Sequence, residues 1–215
     1  MQNPADLKGR HVALPARGTS AEVALAGWLQ AAGLTLDDVD VTKLNFAEHL
    51  TALQDGAIDA SVTIEPFLTR ILDLGMAGVY QRIDQLYPGY QIAEVIYSGQ
   101  LVQAHADVAR RFMIAYLRGV RFYNDAFDRG DTTKRQATIA SLIQHTPVKE
   151  AGLYDQMVMP GLDPDGRMNL DSLGKDQDFW LASGLQEERV NLSQVADPSF
   201  AGAAVQALGP YAAQR

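Results

Sequence analysis

The sequence predicts an α/β protein with a mostly parallel sheet in its first half and a helical second half. Up to Ser98, short apolar runs alternate with segments whose apolar residues recur at helical spacing. Beyond Ser98 only the helical spacing continues. The chain has 215 residues, 47% hydrophobic and 20% charged, which is enough for one large domain or two small ones. We therefore expect an α/β ligand-binding lobe over residues 1–98 and a helical region over 99–215.

Three strand-helix units are predicted before residue 76. The first joins the strand HVALP to a helix over 20–32, in which Leu25 and Leu29 share one face. The second joins VDVTKL to NFAEHLTALQDG, with Asn45 as the N-cap and Gly56 as the stop. The third joins IDASVTI to PFLTRILDLG, whose proline suits the first helical position. GVYQRI and YQIAEVIYS are predicted as two further strands.

Five helices are predicted after Ser98. The longest covers 104–127, and its apolar stripe is expected to consist of Val108, Phe112, Ala115 and Phe122. The other predicted helices cover residues 132–144, 148–157, 171–183 and 198–208.

The composition excludes several classes of function. A formal net charge of -8 with scattered basic residues does not favour binding to nucleic acid. The chain has no cysteine, which excludes disulfides, thiol catalysis and cysteine-ligated zinc. The four histidines show no metal-ligand spacing, and no phosphate-binding or nucleophile motif is present. We therefore predict no cofactor, no metal site and no catalytic residue.

The stretch LPARGTSAEVAL is open to two interpretations. Thr19 and Glu22 have the spacing of a capping box, which indicates a well-capped corner. Alternatively, Gly18 permits an unusual backbone angle, and the start of the following helix attracts an anion, with Arg17 and Ser20 as further donors. The location favours a ligand site, because ligands of open α/β sheets bind beyond the carboxyl ends of the strands.

The end of the third predicted strand is similarly ambiguous. Glu65 precedes Pro66, where a carboxylate often complements the dipole of a helix start. It could instead receive an amine or hydroxyl of a ligand, with Phe67 as an apolar wall. The local pattern leaves both interpretations open.

Four phrases, in this order, resemble the substrate-binding proteins of ABC importers for nitrate, sulfonates and taurine, including the thiamine-pyrimidine-precursor branch (SsuA/THI5-like, NMT1-like). They are PADLKGRHVALPARGTSAEVAL, LTALQDGAIDASVTIEPFLTRILDLG, PDGRMNLDSLGKDQDFWLASGL and VADPSFAGAAVQALG. The resemblance implies a type II periplasmic-binding-protein fold, in which two lobes close over a small ligand. It implies a non-enzymatic protein that captures a sulfonate, nitrate, carboxylate or pyrimidine in the cleft between its lobes.

The resemblance also nominates the site. Hydroxyls and backbone N–H groups of the first turn would hold the ligand's oxygens, Glu65 would set polarity, and two aromatic rings would pack on its apolar part. The nominated residues are Arg17, Gly18, Thr19, Ser20, Glu65, Phe67 and Tyr97. The alternative is a cytoplasmic enzyme or sensor of the thiamine-pyrimidine-synthesis type that uses the same fold.

Partners and location follow from the same resemblance. It implies a permease and an ATPase as partners, and a periplasmic location. The DLKG phrase begins almost at Met1, so the resemblance predicts that the signal peptide and most of the first lobe are lacking. A natural start at Met1 would make the protein cytoplasmic. The helices beyond residue 104 would then expose apolar surface, and we expect self-association through it.

Overall fold

The computed structural model describes residues 3–211 and contains a three-stranded parallel sheet. The strands are β1 (His11–Leu14), β2 (Asp40–Lys43) and β3 (Ala60–Ser61), in the order β2-β1-β3. In this register, Val12 of β1 pairs with Val41 on one side and with Ala60 on the other. The predicted α/β fold with a parallel sheet is confirmed.

Helices make up most of the remaining regular structure. Within residues 3–211, eleven α-helices are present: α1 (Ser20–Ala31), α2 (Phe46–Gln54), α3 (Phe67–Asp73), α4 (Ile83–Leu86), α5 (Gly99–Ala104), α6 (Ala106–Phe127), α7 (Thr132–His145), α8 (Leu153–Gln156), α9 (Leu170–Ala182), α10 (Leu192–Val195) and α11 (Ser199–Leu208). None of the helices in the described part of the chain is both long and apolar enough to span a bilayer.

Two compact units divide the chain. The first extends to Ile92 and includes Asp171–Val190, and the second comprises Ala93–Leu170 and the chain from Asn191 onward. The expected division at residue 98 differs from these units because α9 returns to the first one. Its Ser172 hydroxyl, for example, accepts the backbone N–H of Gln91 at 2.9 Å.

The sheet of the first unit is covered on both faces. Val12 and Leu14 face one side, where they pack with Leu25 and Leu29 of α1. Ala13 faces the other side, where it packs with Ala52 of α2 and with Ile58. This alternation is the period of two expected for a strand buried between helix layers. The predicted apolar face of α1 is therefore confirmed at its two leucines.

The core of the second unit lies between α6 and α11. Buried side chains of α6, among them Met113 and Leu117, pack against Phe200 and Ala204 of α11. The predicted stripe of α6 is wrong, because Val108 and Phe112 are 42% and 51% exposed. The buried stripe is Ala109, Met113, Leu117 and Val120. Both stripes have helical spacing, and the position of α11 decides which one is buried.

Several predicted elements are shorter than expected or absent. GVYQRI and YQIAEVIYS form no strand, because no neighbouring strand within residues 3–211 pairs with either segment. β3 has only two residues, and the predicted helix over 148–157 is reduced to the four residues of α8. Pro66 is the N-cap of α3 rather than its first helical residue.

Candidate functional site

The three strands end at one edge of the sheet, because they are parallel and adjacent. The loops that follow Leu14, Lys43 and Ser61 therefore lie side by side. We call this region of the first unit the carboxyl edge. It carries six of the seven predicted site residues: Arg17, Gly18, Thr19, Ser20, Glu65 and Phe67.

The turn between β1 and α1 is held from several sides. Gly18 has a φ of 72°, a left-handed conformation, in agreement with the unusual backbone angle predicted at this glycine. Its carbonyl oxygen accepts the indole N–H of Trp180 at 3.1 Å. The Thr19 hydroxyl donates to the carbonyl oxygen of Ala16 at 2.9 Å. A hydrogen bond within the turn and one from Trp180 therefore order it.

Glu22 is buried beside this turn, with only 3% of its surface exposed. One carboxylate oxygen accepts the N–H of Gly18 at 2.6 Å, and the other lies 3.4 Å from Nε of Arg17. The predicted capping box is wrong: the Thr19 side chain makes no cap bond, and Glu22 reaches the residue before the N-cap. A buried carboxylate needs compensating partners: the Gly18 N–H supplies a hydrogen bond, and the Arg17 guanidinium supplies an ion pair.

The first turn of α1 retains donors that no protein group uses. The backbone N–H groups of Ser20 and Ala21 have no acceptor among residues 3–211, and neither does the Ser20 hydroxyl. α1 has 12 residues, so its aligned peptide dipoles place partial positive charge at this end. These donors lie directly beyond the carboxyl end of β1. The arrangement can bind an oxyanion.

Glu65 and Phe67 lie in the loop and helix that follow β3. One oxygen of Glu65 accepts both the N–H and the hydroxyl of Thr69, at 3.1 and 2.7 Å. These contacts favour the helix-start interpretation of this carboxylate. The ring of Phe67 stacks on that of Phe46 with centroids 6.4 Å apart. The two rings form an aromatic contact between the helices that follow β2 and β3.

Tyr97, the seventh predicted residue, belongs to the second unit. Its hydroxyl donates to the carbonyl oxygen of Ala109 at 2.9 Å, and burial raises its pKa. Its ring makes edge contacts with Phe112 and Phe200. These contacts are those of a core residue of that unit, and a role of Tyr97 in ligand binding stays a prediction.

Two polar residues of the carboxyl edge were not predicted. His49 is fully buried; its Nε2 lies 3.0 Å from the Leu44 carbonyl oxygen, and its Nδ1 has no partner among residues 3–211. Burial lowers the pKa of His49. The hydroxyl oxygen of Thr63 is also buried without a partner in the described chain. No sequence pattern marks either residue, because the missing partner is a property of the fold.

The residues at this edge offer no metal centre. Within residues 3–211, no three His, Asp or Glu side chains come together as metal ligands. The chemistry available here is hydrogen bonding to an anion or a polar group, with aromatic packing beside it.

The sequence matches the model of a known protein family. The family model described as NMT1/THI5 like matches residues 1–126, which is more than half of the chain. The chain belongs to the NMT1/THI5-like family. No curated protein is similar enough in sequence to count as a match.

Solved structures similar to this NMT1/THI5-like chain support the same fold. The periplasmic sulfonate-binding protein SsuA of Methylobacillus flagellatus KT has a TM-score of 0.67 and 20% identity, over 97% of this chain and 63% of that one. The periplasmic aliphatic sulphonate-binding protein SsuA of Escherichia coli has the same TM-score and 22% identity, over 91% and 61%. The desulfurization enzyme DSZB has a TM-score of 0.61 and 19% identity, over 96% and 73%.

These similarities establish the fold of the NMT1/THI5-like chain. It is the α/β fold of type II periplasmic binding proteins, as the family resemblance implied. The chain spans less than two thirds of the length of the two sulfonate-binding proteins. The structures that share its fold include both binding proteins and an enzyme.

Proposed function

We propose that this NMT1/THI5-like chain is the solute-binding component of an ABC importer and that it binds a small anionic or polar organic ligand at the carboxyl edge. One observation carries the proposal. The N–H groups of Ser20 and Ala21 and the Ser20 hydroxyl have no partner among residues 3–211, and they point from the start of a 12-residue helix beyond a strand end. Sulfonates, nitrate and carboxylates present the oxygens that such donors recognise.

Arg17 adds positive charge beside these donors. Its side chain is 53% exposed, and the ion pair with Glu22 engages Nε. The other guanidinium donors have no protein partner within residues 3–211. The buried carboxylate therefore positions Arg17 and leaves part of its guanidinium available to an anion.

The residues after β3 support the proposal that the ligand can be a polar organic compound. Glu65 is held in place by Thr69, and the Phe67 ring is held against Phe46. An ordered carboxylate next to an aromatic pair would suit a pyrimidine or another ligand that combines a donor group with an apolar surface. Tyr97 of the second unit remains a separate prediction as a ligand residue.

A second candidate function is enzymatic. The desulfurization enzyme DSZB has a similar fold, so the fold itself is compatible with an enzyme. The alternative is the cytoplasmic enzyme or sensor of the thiamine-pyrimidine-synthesis type that the family resemblance implies. These 215 residues contain no cysteine, so they supply no thiol nucleophile to such an enzyme. We favour the binding function, because the donors at α1 need no reacting side chain to hold an anion.

The proposal is tested by a thermal-shift and calorimetry panel of methanesulfonate, nitrate, benzoate and cytosine. A ligand at ~100 times its dissociation constant adds about 2.7 kcal/mol to the unfolding free energy, which a melt detects readily. If none of the four shifts the melting of the wild-type protein, the binding proposal is wrong. Turnover of a bound compound would favour the enzymatic alternative.

A proline substitution tests whether α1 holds the ligand. Ser20→Pro removes the hydroxyl and one N–H, while the first helical position tolerates proline. Because hydrogen bonds to charged groups are worth about 1.5–3 kcal/mol, we expect affinity to fall at least tenfold. Thr132→Pro is the matched control, since it changes the first residue of α7, whose N–H also has no acceptor within residues 3–211. Its ligand affinity should equal that of the wild type.

Partners, location and assembly are further parts of the proposal. We expect a permease and an ATPase as partners and a periplasmic location, which cell fractionation with an antibody would test. We also expect self-association, because apolar side chains of the second unit such as Phe112, Ile96 and Val108 are exposed. Sedimentation at several protein concentrations would measure it, and a monomer throughout would contradict it.

A further inference from the structure

Side chains of the first unit hold both peptide groups of Gly18. Its N–H donates to the buried carboxylate of Glu22 at 2.6 Å, and its carbonyl oxygen accepts the indole N–H of Trp180 at 3.1 Å. Glycine has the widest range of backbone conformations of any residue, so a turn that must keep one shape needs other contacts to hold its glycine. The two partners hold Gly18 in its left-handed conformation, with φ at 72°.

The Trp180 hydrogen bond also sets the direction of the next N–H group along the chain. A trans peptide group is planar, and its C=O and N–H point in opposite directions. The bond to the Gly18 carbonyl therefore makes the Thr19 N–H point away from the indole. That N–H has no acceptor among residues 3–211, like the N–H groups of Ser20 and Ala21 that follow it.

The three N–H groups differ in what orients them. Ser20 and Ala21 belong to α1, so the geometry of the helix sets the direction of their N–H groups. Thr19 is the N-cap of α1 and has an extended backbone with φ at -93° and ψ at 162°. Its N–H lies outside the helix, and the bond from Trp180 to the same peptide group supplies the missing constraint.

Trp180 is itself held firmly, because it lies at the end of α9. Its carbonyl oxygen accepts the N–H groups of Leu185 and Gln186 at 2.8 and 3.1 Å. In the same turn, the Ser183 hydroxyl donates to the Phe179 carbonyl oxygen at 2.8 Å. A side chain that orients another group needs support of this kind, since a loosely held donor fixes nothing.

From these contacts we propose that Trp180 is a positioning residue of the ligand site, which acts through the Gly18–Thr19 peptide group to aim the Thr19 N–H at an oxygen of the bound anion. The inference rests on the proposed function and deepens it, because it gives α9 a role in recognition. Trp180 itself makes no ligand contact. Its effect is specific to oxyanions, since hydrogen bonds to a charged acceptor are stronger than those to a neutral compound such as cytosine.

The wild-type protein carries its own probe of this contact. The chain contains two tryptophans, Trp28 and Trp180, so a nitrogen-15-labelled sample gives two indole N–H signals. Trp28→Phe assigns them, because the signal that remains belongs to Trp180. We expect methanesulfonate, nitrate or benzoate, whichever binds, to shift the Trp180 signal. An anion that accepts the Thr19 N–H polarises the peptide group whose carbonyl accepts the indole N–H. The Trp28 signal should stay in place.

Trp180→Phe removes the indole N–H and keeps an aromatic ring. We expect its affinity for the oxyanion that the wild type binds best to fall about three- to tenfold, the effect of one hydrogen bond. Its affinity for cytosine should stay within about twofold of the wild-type value. Trp28→Phe is the matched control and should bind every compound as the wild type does. Calorimetry measures these affinities, at a temperature where melting curves show each variant to be folded.

Three results would overturn the inference. The first is a Trp180 indole signal that stays in place while an oxyanion binds. The second is a folded Trp180→Phe protein that keeps wild-type affinity for the oxyanion or loses affinity for the oxyanion and cytosine equally. The third is a wild type that binds cytosine but no oxyanion, which would leave the proposed function standing. If Trp180→Phe does not fold, the indole signal of the wild type decides alone.

Failure of the proposed function has a different signature. In that case the wild type binds none of the four compounds, and the result appears before any variant is made. The two failures are therefore distinguishable.

Discussion

The indole N–H of Trp180 donates to the carbonyl oxygen of Gly18 at 3.1 Å, although the two residues are 162 positions apart. A Cβ placed on Gly18 would lie 3.6 Å from Leu185 and 3.9 Å from the Trp180 nitrogen. The chain around α9 therefore packs directly on the turn between β1 and α1. The local sequence predicts only a helix start at this turn. Its order also depends on Trp180 and Leu185, which lie far along the chain.

Replacing Trp180 tests this contact. Trp180→Phe removes the N–H and keeps an aromatic ring, so the Gly18 carbonyl loses its indole partner. Trp28→Phe is the matched control, because the Trp28 ring nitrogen is buried without a partner among residues 3–211. We expect Trp180→Phe to lose about 0.5–1.5 kcal/mol more unfolding free energy than Trp28→Phe, measured by urea denaturation. Equal losses would show that the Trp180 hydrogen bond contributes nothing.

The buried carboxylate of Glu22 should contribute more to the unfolding free energy than an exposed carboxylate does. Glu22→Ala leaves the Gly18 N–H without its acceptor and Arg17 without its ion pair, so we expect a loss of about 1.5–3 kcal/mol. Glu48→Ala is the comparison, since Glu48 accepts the Asn45 N–H at 2.7 Å but is exposed. Its loss should be about 0.3–1 kcal/mol, because water replaces the carboxylate. Denaturation curves that give similar losses for the two variants would contradict the role assigned to burial.

Gly27 lies inside α1, where alanine would normally favour the helix. A Cβ at Gly27 would clash with the Tyr87 hydroxyl. We therefore expect Gly27→Ala to cost about 1–3 kcal/mol through overpacking. Gly119→Ala on α6 is the control, because a Cβ there meets nothing within 4 Å, and it should gain about 0.5–1 kcal/mol.

Thermal melts of these two glycine variants should shift in opposite directions. Truncating the clashing hydroxyl should partly restore Gly27→Ala, so the double variant with Tyr87→Phe is expected to melt above the single one. A stabilised Gly27→Ala protein would show that the Tyr87 ring moves aside at little cost.

The stability of the first unit should fall in mild acid through His49. Burial lowers the pKa of His49 below the usual value of about 6.5, with the Leu44 carbonyl and Glu48 acting in the opposite direction. As the pH falls through about 6.5, the unfolded chain therefore binds a proton at this position before the folded chain does. The unfolding free energy contributed by His49 is complete above that pH and decreases below it. His49→Gln, which cannot titrate, should flatten this decrease between pH 7.5 and 5.

The pKa shift of Asp176 is opposite in direction to that of His49. Its effect on the pH dependence of stability must therefore be separated from that of His49. Burial raises its pKa, and the hydrogen bond from Tyr90 only partly offsets that rise. The folded chain therefore holds a proton at Asp176 more readily than the unfolded chain does, so this residue stabilises the fold as the pH falls through the raised pKa. Urea denaturation of His49→Gln and Asp176→Asn at several pH values separates the two effects. An unchanged pH dependence in His49→Gln would refute the histidine prediction.

Much of the first unit could be predicted because its signals are local. The periodic leucines of α1, the N-cap Asn45 of α2, the unusual backbone angle of Gly18 and the helix stop at Gly56 are all found as expected. The capping box was wrong within the same local stretch, because burial turned Glu22 toward Gly18 and Arg17. Spacing alone does not show which of several nearby donors a buried carboxylate will accept.

The candidate site shows the same division. Six of the predicted residues are located at the carboxyl edge, since a strand-loop-helix pattern indicates which loops follow parallel strands. Thr63 and His49 could not be predicted as special, because their distinguishing property is the partner they lack. The partner of Trp180 could not be predicted either, since its acceptor is a backbone carbonyl 162 residues away.

The sequence by itself determined the strand-helix order of the first unit, the α/β class and the family, because periodicity, caps and turn residues act over a few positions. Only the tertiary structure decided which face of α6 is buried, since two stripes of helical spacing were available and α11 covers one of them. It also decided that YQIAEVIYS forms no strand within residues 3–211 and that 171–190 joins the first unit. Each of these outcomes depends on a hydrogen-bond or packing partner that is distant in the chain.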